Sequence, residues 1–299
     1  MQASKTTRNI RVGPAGWSYP DWKGYVYPGR ARGKFDQLAF MASLFDLIEI
    51  NSTFYRTPDP MRTGEWVRRV SDFSLLRFTV KLYQGFTHTG KASVVDERAF
   101  HRALEPLVRF HRLAAVLIQW PWSFKNTLEN RKKIEAVVRR FSNYPLAVEV
   151  RHDSWAAPDV PAFFAGLRVA FCNIDQPGVD ENLGPAGHVT SDISYFRFHG
   201  RNAKAWSSRE AGRNERFNYL YGQSELDDWI ERVEEAALHS RRVAVVFNNH
   251  FRGQSVVNAF QFQHALSKKK QPVPVDLIEA YPILESISST VFQRSLFSR

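Results

Sequence analysis

The chain has 299 residues, 43% of them hydrophobic, which is enough apolar material for a full core. Its single cysteine, Cys172, excludes an intrachain disulfide, and no stretch approaches the roughly 20 apolar residues of a membrane helix. The formal charge is +11, from 41 Lys+Arg against 30 Asp+Glu, a balance that suits a nucleic-acid partner or another anionic ligand.

The opening Met1–Asn9 is polar and lacks the apolar segment of a signal peptide, so the expectation is a soluble, cytoplasmic protein with no membrane partner. No internal repeat, low-complexity run or Gly/Ser- or Pro-rich linker divides the chain. It reads as one domain over 1–299, with a core at about 10–265 and an extension over 266–299 packed on its outside. Oligomeric state is not legible.

In chain order, eight short runs rich in Val, Ile and Phe read as buried parallel strands: Arg11–Ala15, Leu47–Asn51, Arg77–Lys81, Ala115–Trp120, Leu146–Arg151, Val169–Asp175, Tyr195–His199 and Val243–Asn248. Helical stripes lie between them: Phe35, Leu38, Ala39, Ala42 and Phe45; Phe100, Leu104, Leu107 and Val108; Ile134, Val137, Val138 and Phe141; and Leu226, Trp229, Ile230 and Val233, the last preceded by Ser224 as an N-cap candidate. Alternation of strand and helix over eight units favours a closed α/β, (β/α)₈ TIM barrel. Residues 176–192 carry Gly and Pro but no amphipathic period, so the sixth crossover is expected to lack a regular helix. After Lys270, a helix is expected around Leu277–Ser286. The basic runs Arg68-Arg69, Arg131-Lys132-Lys133, Arg139-Arg140, Arg241-Arg242 and Lys268-Lys269-Lys270 lie on or beside helices and read as solvated faces and helix ends.

Residues two apart on a strand share a face, and polar groups recur on one parity late in five strands. Glu49 and Asn51 oppose Ile48 and Ile50; Thr79 and Lys81 oppose Phe78 and Val80; Glu149 and Arg151 oppose Val148 and Val150; Asn173 and Asp175 oppose Cys172 and Ile174; Arg197 and His199 oppose Phe196 and Phe198. If the polar parity faces the barrel axis, these groups meet at the C-terminal mouth, where barrel enzymes place their chemistry. The alternative is a structural salt-bridge layer in which Glu49, Glu149 and Asp175 neutralise Lys81, Arg151 and Arg197.

Several motifs run in order through residues 11–262. They include Gly16-Trp17-Ser18-Tyr19, Trp22-Lys23-Gly24, Ile48-Glu49-Ile50-Asn51-Ser52-Thr53-Phe54-Tyr55, Phe78-Thr79-Val80-Lys81, Thr87-His88, Glu149-Val150-Arg151, Ser154-Trp155, Tyr195-Phe196-Arg197-Phe198-His199-Gly200-Arg201, Tyr219-Leu220-Tyr221, Phe247-Asn248-Asn249 and Asn258-Ala259. In these the chain resembles the DUF72 (YecE-like) family. The resemblance implies a TIM barrel and imports no activity. The Arg- and Ser-rich segment between Gly200 and Tyr219 does not align closely, and the tail from about Leu266 looks peculiar to this chain.

Candidates for acid/base work are Glu49, Glu149, His199 and Asp175. Lys81, Arg151, Arg197 and Arg201 are candidates to hold the phosphate or carboxylate of a small anionic or phosphorylated ligand. Asn51, Tyr55, His88, Asn248, Trp17 and Trp155 complete the binding set, the aromatics as platforms for a sugar or base. The reading is an enzyme, hydrolytic or acid/base, acting on a phosphate-bearing or sugar-like anion. Its rivals are a non-catalytic nucleic-acid or nucleotide binder and a divalent-metal barrel of the isomerase or endonuclease kind. No HExxH or His-x-His spacing favours a metal, and no GxxxxGK[ST], GxGxxG or GxSxG motif is present, so no cofactor is assigned. Cys172 reads as a helix-facing core residue.

Overall fold

The structure, a computed structural model, describes residues 9–29, 35–179, 181–208 and 210–289. Eight strands form: β1 Ile10–Pro14, β2 Leu47–Ile50, β3 Arg77–Lys81, β4 Leu113–Gln119, β5 Leu146–Glu149, β6 Ala170–Asp175, β7 Ile193–Phe198 and β8 Arg242–Phe247. They pair in parallel in the order β1-β8-β7-β6-β5-β4-β3-β2. The barrel is nearly closed where β1 meets β2: Ala15 bridges Glu49, and the Gly16 N–H donates to the Glu49 carbonyl at 2.8 Å. That approach requires a glycine, because a Cβ on Gly13 would lie 1.8 Å from the Leu47 carbonyl oxygen.

The surrounding helices are α1 Gln37–Leu44, α2 Pro60–Arg69, α3 Val94–Arg109, α4 Leu128–Phe141, α5 Val160–Gly166, α6 Ala203–Ser207, α7 Arg213–Arg216, α8 Gln223–His239, α9 Gln254–Ser267 and α10 Val275–Ala280. Their buried residues follow the apolar stripes, with Phe100, Leu104 and Leu107 on α3, Ile134, Val137, Val138 and Phe141 on α4, and Leu226, Trp229, Ile230 and Val233 on α8. Val108 departs from its stripe and stays exposed. Ser224 lies inside α8 rather than capping it; the Gly222 N–H donates to Glu225 at 2.9 Å just before the first turn. Several helices start on side-chain acceptors. Asp36 takes the Ala39 N–H of α1 and also pairs with Arg69 of α2, and Ser93 and Asp96 form a reciprocal cap on α3. Between β6 and β7 no helix forms among the described residues. The sequence shows why, since nothing there repeats at the period a helix needs to bury a face.

The segment after α9 packs onto the barrel. Val273, Leu277 and Leu284 are buried, and the Tyr281 hydroxyl donates to the Arg252 carbonyl at 3.0 Å, tying α10 to the loop after β8.

The sixth strand reverses the expected parity. Parallel neighbours in register share orientation, and Cys172 pairs with Tyr195 and Ile174 with Arg197, so Cys172 and Ile174 face the axis. Asn173 and Asp175 face outward instead: Asn173 bonds the backbone of His188, and Asp175 receives the indole N–H of Trp229 on α8. Alternation gives the two faces of a strand but not which of them is inner. Here a carboxylate with three outward donors overrides the rule that charge faces the mouth.

Candidate functional site

The axial layer is built from β2, β5 and β7. Arg197 lies flat across the barrel, its Nε and Nη2 donating to Glu49 at 2.7–3.2 Å and its Nη1 to Glu149 at 3.1 Å. The Tyr195 hydroxyl, two residues earlier on the same face, donates to Glu49 Oε2 at 2.7 Å and lies 2.9 Å from Thr79 Oγ1. Arg151 donates to Glu149 Oε1 at 2.7 Å. His199 places Nε2 3.2 Å from the same oxygen, and Asn248 Nδ2 lies 3.2 Å from its Nδ1. A neutral imidazole donating from Nε2 and accepting at Nδ1 fits both contacts. The order of charge is therefore Glu49, Arg197, Glu149, Arg151, an alternating chain across the axis.

Burial and the neighbouring charges oppose one another in setting the protonation of these groups. Burial alone would raise the Glu149 carboxyl, but Arg151 and Arg197 outweigh it and hold the group well below the ordinary carboxylate range. Arg197 is held charged by Glu49 and Glu149 against its own burial. His199 is pushed down to about 3, first by burial and then by the Arg151 cation, so it is uncharged at neutral pH. Glu49, Glu149 and His199 are all fully buried.

Lys81 stands apart. Its ammonium sits 3.8 Å from the centroid of the Phe54 ring and has no carboxylate within ion-pair distance among the described residues. Burial, then repulsion from Arg197, lowers it to about 7. His88, exposed on the loop after β3, is lowered to about 4 by partial burial and by Lys81. Arg151 keeps 13% of its side chain exposed and lies over the Trp206 ring at 5.6 Å. Lys81, Arg151, Trp206 and Phe217 are thus the partly accessible groups around the axis.

Several sequence candidates lie elsewhere. Asp175 accepts from Arg201, Tyr221 and Trp229 in a network between the barrel wall and α8, and Arg201 is shared with Glu225. Neither touches the axial chain. Trp155 is buried and donates its indole N–H to the Phe124 carbonyl at 2.7 Å, a core contact. Trp17, Asn51 and Tyr55 line a cleft of about 480 Å³ between the loops after β1 and β2, with Trp66 edge-on to Trp17 at 5.5 Å. Asn51 bridges the two regions, its Nδ2 reaching toward Asn248 Oδ1 at 3.5 Å. Among the described residues, no three His, Cys, Asp or Glu side chains are grouped to hold a metal ion.

Sequence reading missed Phe54, Tyr195, Trp206 and Phe217. Tyr195 shares the parity of Arg197 and was legible in principle. Phe54, Trp206 and Phe217 reach the axis from loops and short helices, which have no period to read.

Eight parallel strands with helices around them define a nearly closed α/β barrel with an ion-paired layer across its axis. A family model described as a protein of unknown function, DUF72, matches residues 11–280, and the chain belongs to that family. The match runs past Leu266 and takes in α10, so the extension is in part a family feature. A DUF72 crystal structure from Thermotoga maritima is 33% identical, covering 86% of this chain and 98% of its own, with a TM-score of 0.76. Another from Enterococcus faecalis is 29% identical over 86% and 95% of the two chains, also at 0.76. The UPF0759 protein YunF of Bacillus subtilis is 28% identical, covering 86% of this chain and 94% of that one.

Proposed function

We propose that the mouth of the barrel binds a small phosphate-bearing or sugar-like anion and transfers protons on it, with Lys81 as the exchanging group and Arg151 as the anion's partner. The observation that carries this reading is a charge imbalance. Glu49 and Glu149 are both committed to arginines in the buried layer, while Lys81 lies against the Phe54 ring, near both carboxylates but ion-paired to neither among the described residues. A largely desolvated ammonium without an ion-pair partner lowers stability, and such groups are found chiefly where function uses them. An amine near neutrality can both give and take a proton at physiological pH, as Glu49, held by Arg197 and Tyr195, and His199, held neutral, are poorly placed to do. Glu149 and His199 act as positioning residues for Arg151.

A panel of sugar phosphates and phosphoesters tests this, with kinetics on any hit for wild type, Lys81→Arg, Lys81→Gln and Arg151→Gln. Lys81→Arg keeps the charge but cannot exchange its proton, so KM should hold while kcat falls by about 10²-fold or more. Arg151→Gln should raise KM. Wild-type kinetics in Lys81→Arg would remove Lys81 from the chemistry. Binding without turnover, lost in Arg151→Gln, would favour the non-catalytic binder, and a salt-dependent gel shift would then distinguish nucleic acid from a small ligand.

A further inference from the structure

The opposite end of the barrel carries a second cavity of about 520 Å³, lined by the start of, or the loop leading into, every strand except β6. Conserved chemistry in barrels belongs to the other end, and the amino-terminal end ordinarily serves stability. Here its composition is unusual. Leu47, Leu113, Ala115, Val243 and Ala244 make an apolar lining, and Arg11, Arg77, Arg241 and Arg242 stand around it. The pair Arg241-Arg242, which in sequence reads as a helix end, is brought here because β8 begins at Arg242.

The arginines carry little compensating charge. Arg241 forms an exposed ion pair with Asp192 at 3.4 Å, Asp46 acts on Arg11 and Arg77, and the Arg77 side chain bonds only the Ser74 and Leu76 carbonyls. The Arg11 Nε is buried with no hydrogen-bond partner, and so is Asp46 Oδ1 beside it. Burial and the like charges of Arg11, Arg112 and Arg242 lower Arg77, while Asp46 acts against them. Arg112 is spent on the carbonyls of Val70, Ser71, Phe73 and Leu76. His111 adds a further ionisable group at the rim. Converging guanidinium groups around an apolar chamber of ligand size suit an anion with a hydrophobic body.

We propose that this end of the barrel is a second ligand site, taking a small organic phosphate: its flat or apolar body rests against the Leu47, Ala115 and Ala244 lining, and its phosphate lies among Arg11, Arg77 and Arg242. The Tyr195 ring forms part of the lining, and its hydroxyl donates to Glu49 on the far side, so the site is backed by the axial layer but independent of the mouth.

Calorimetric titration of the full chain with AMP and with inorganic pyrophosphate tests the assignment. AMP should bind more tightly than pyrophosphate, because only AMP fills the apolar chamber. Arg11→Gln and Arg242→Gln should each weaken AMP at least fivefold; Arg242 is exposed, so its substitution leaves the fold intact. Ala244→Phe fills the chamber without touching an arginine and should remove the preference for AMP over pyrophosphate. Any AMP held at the mouth responds to Arg151→Gln, which should leave unchanged the binding step that Arg11→Gln and Arg242→Gln weaken. The proposal is overturned if wild type binds neither probe at millimolar concentration, if pyrophosphate binds as tightly as AMP, or if Arg151→Gln abolishes AMP binding while Arg11→Gln and Arg242→Gln retain it.

Discussion

The two ends of the barrel are both rich in arginine and treat it in opposite ways. At the mouth, Arg197 and Arg151 alternate with Glu49 and Glu149, so most of the charge is neutralised within the protein and only Lys81 is left over. At the amino-terminal end, Arg11, Arg77 and Arg242 border one cavity, and Asp46 is the carboxylate that acts on Arg77. The difference lies in strand position. Inward residues two apart stack in layers along the axis, so carboxylates on β2 and β5 reach an arginine on β7 at one level and none of those at the other. Charge that the fold neutralises fixes geometry. Charge that it leaves alone is available to a ligand.

The largest effect should come from breaking the neutralised end. Glu49→Gln leaves Arg197 buried with one of its two carboxylates gone, and denaturant unfolding should show a loss of about 3–5 kcal/mol. A loss below about 1 kcal/mol would mean that the axial chain is not stabilised as its geometry implies.

Lys81→Met should do the reverse. The folded amine is lowered to about 7 from 10.5, so the charged form is disfavoured by folding: the cost is fully present below pH 7 and fades as pH rises toward 10.5. Wild-type stability should therefore climb between pH 7 and 10. The variant should be more stable at pH 7 by something on the order of 3 kcal/mol, with the gain shrinking at high pH. A stabilising substitution that also abolishes ligand turnover would mark Lys81 as kept for function.

Asp46 sharpens the comparison from the other end. Burial raises it from 3.8 to about 6, with Arg11 acting against the rise. Its folded value lies above its unfolded one, so the contribution to stability is present below pH 4 and lost as pH rises through 6. Asp46→Asn should gain about 2 kcal/mol at pH 7 and nothing at pH 3.5, read from thermal unfolding across that range. Smallest of all, Arg242→Gln should change stability by less than about 0.5 kcal/mol, since the side chain is exposed and surface substitutions rarely matter more. Any effect of this variant on AMP affinity then belongs to binding.

The sequence by itself determined the barrel. Eight apolar runs fall within two residues of eight strands because strands buried on both faces must be apolar, and the helices between them follow from period. It also determined which residues on β2, β3, β5 and β7 share a face, though not which face is the inner one. Only the tertiary structure decided who pairs with whom. That Glu49 takes Arg197 rather than Lys81, that Asp175 turns outward to Arg201, Tyr221 and Trp229, and that Arg241-Arg242 borders a cavity instead of ending a helix all depend on register between strands distant in the chain. Periodicity along one strand carries no information about its neighbour's level, and the loops that deliver Phe54 and Trp206 have no periodicity at all.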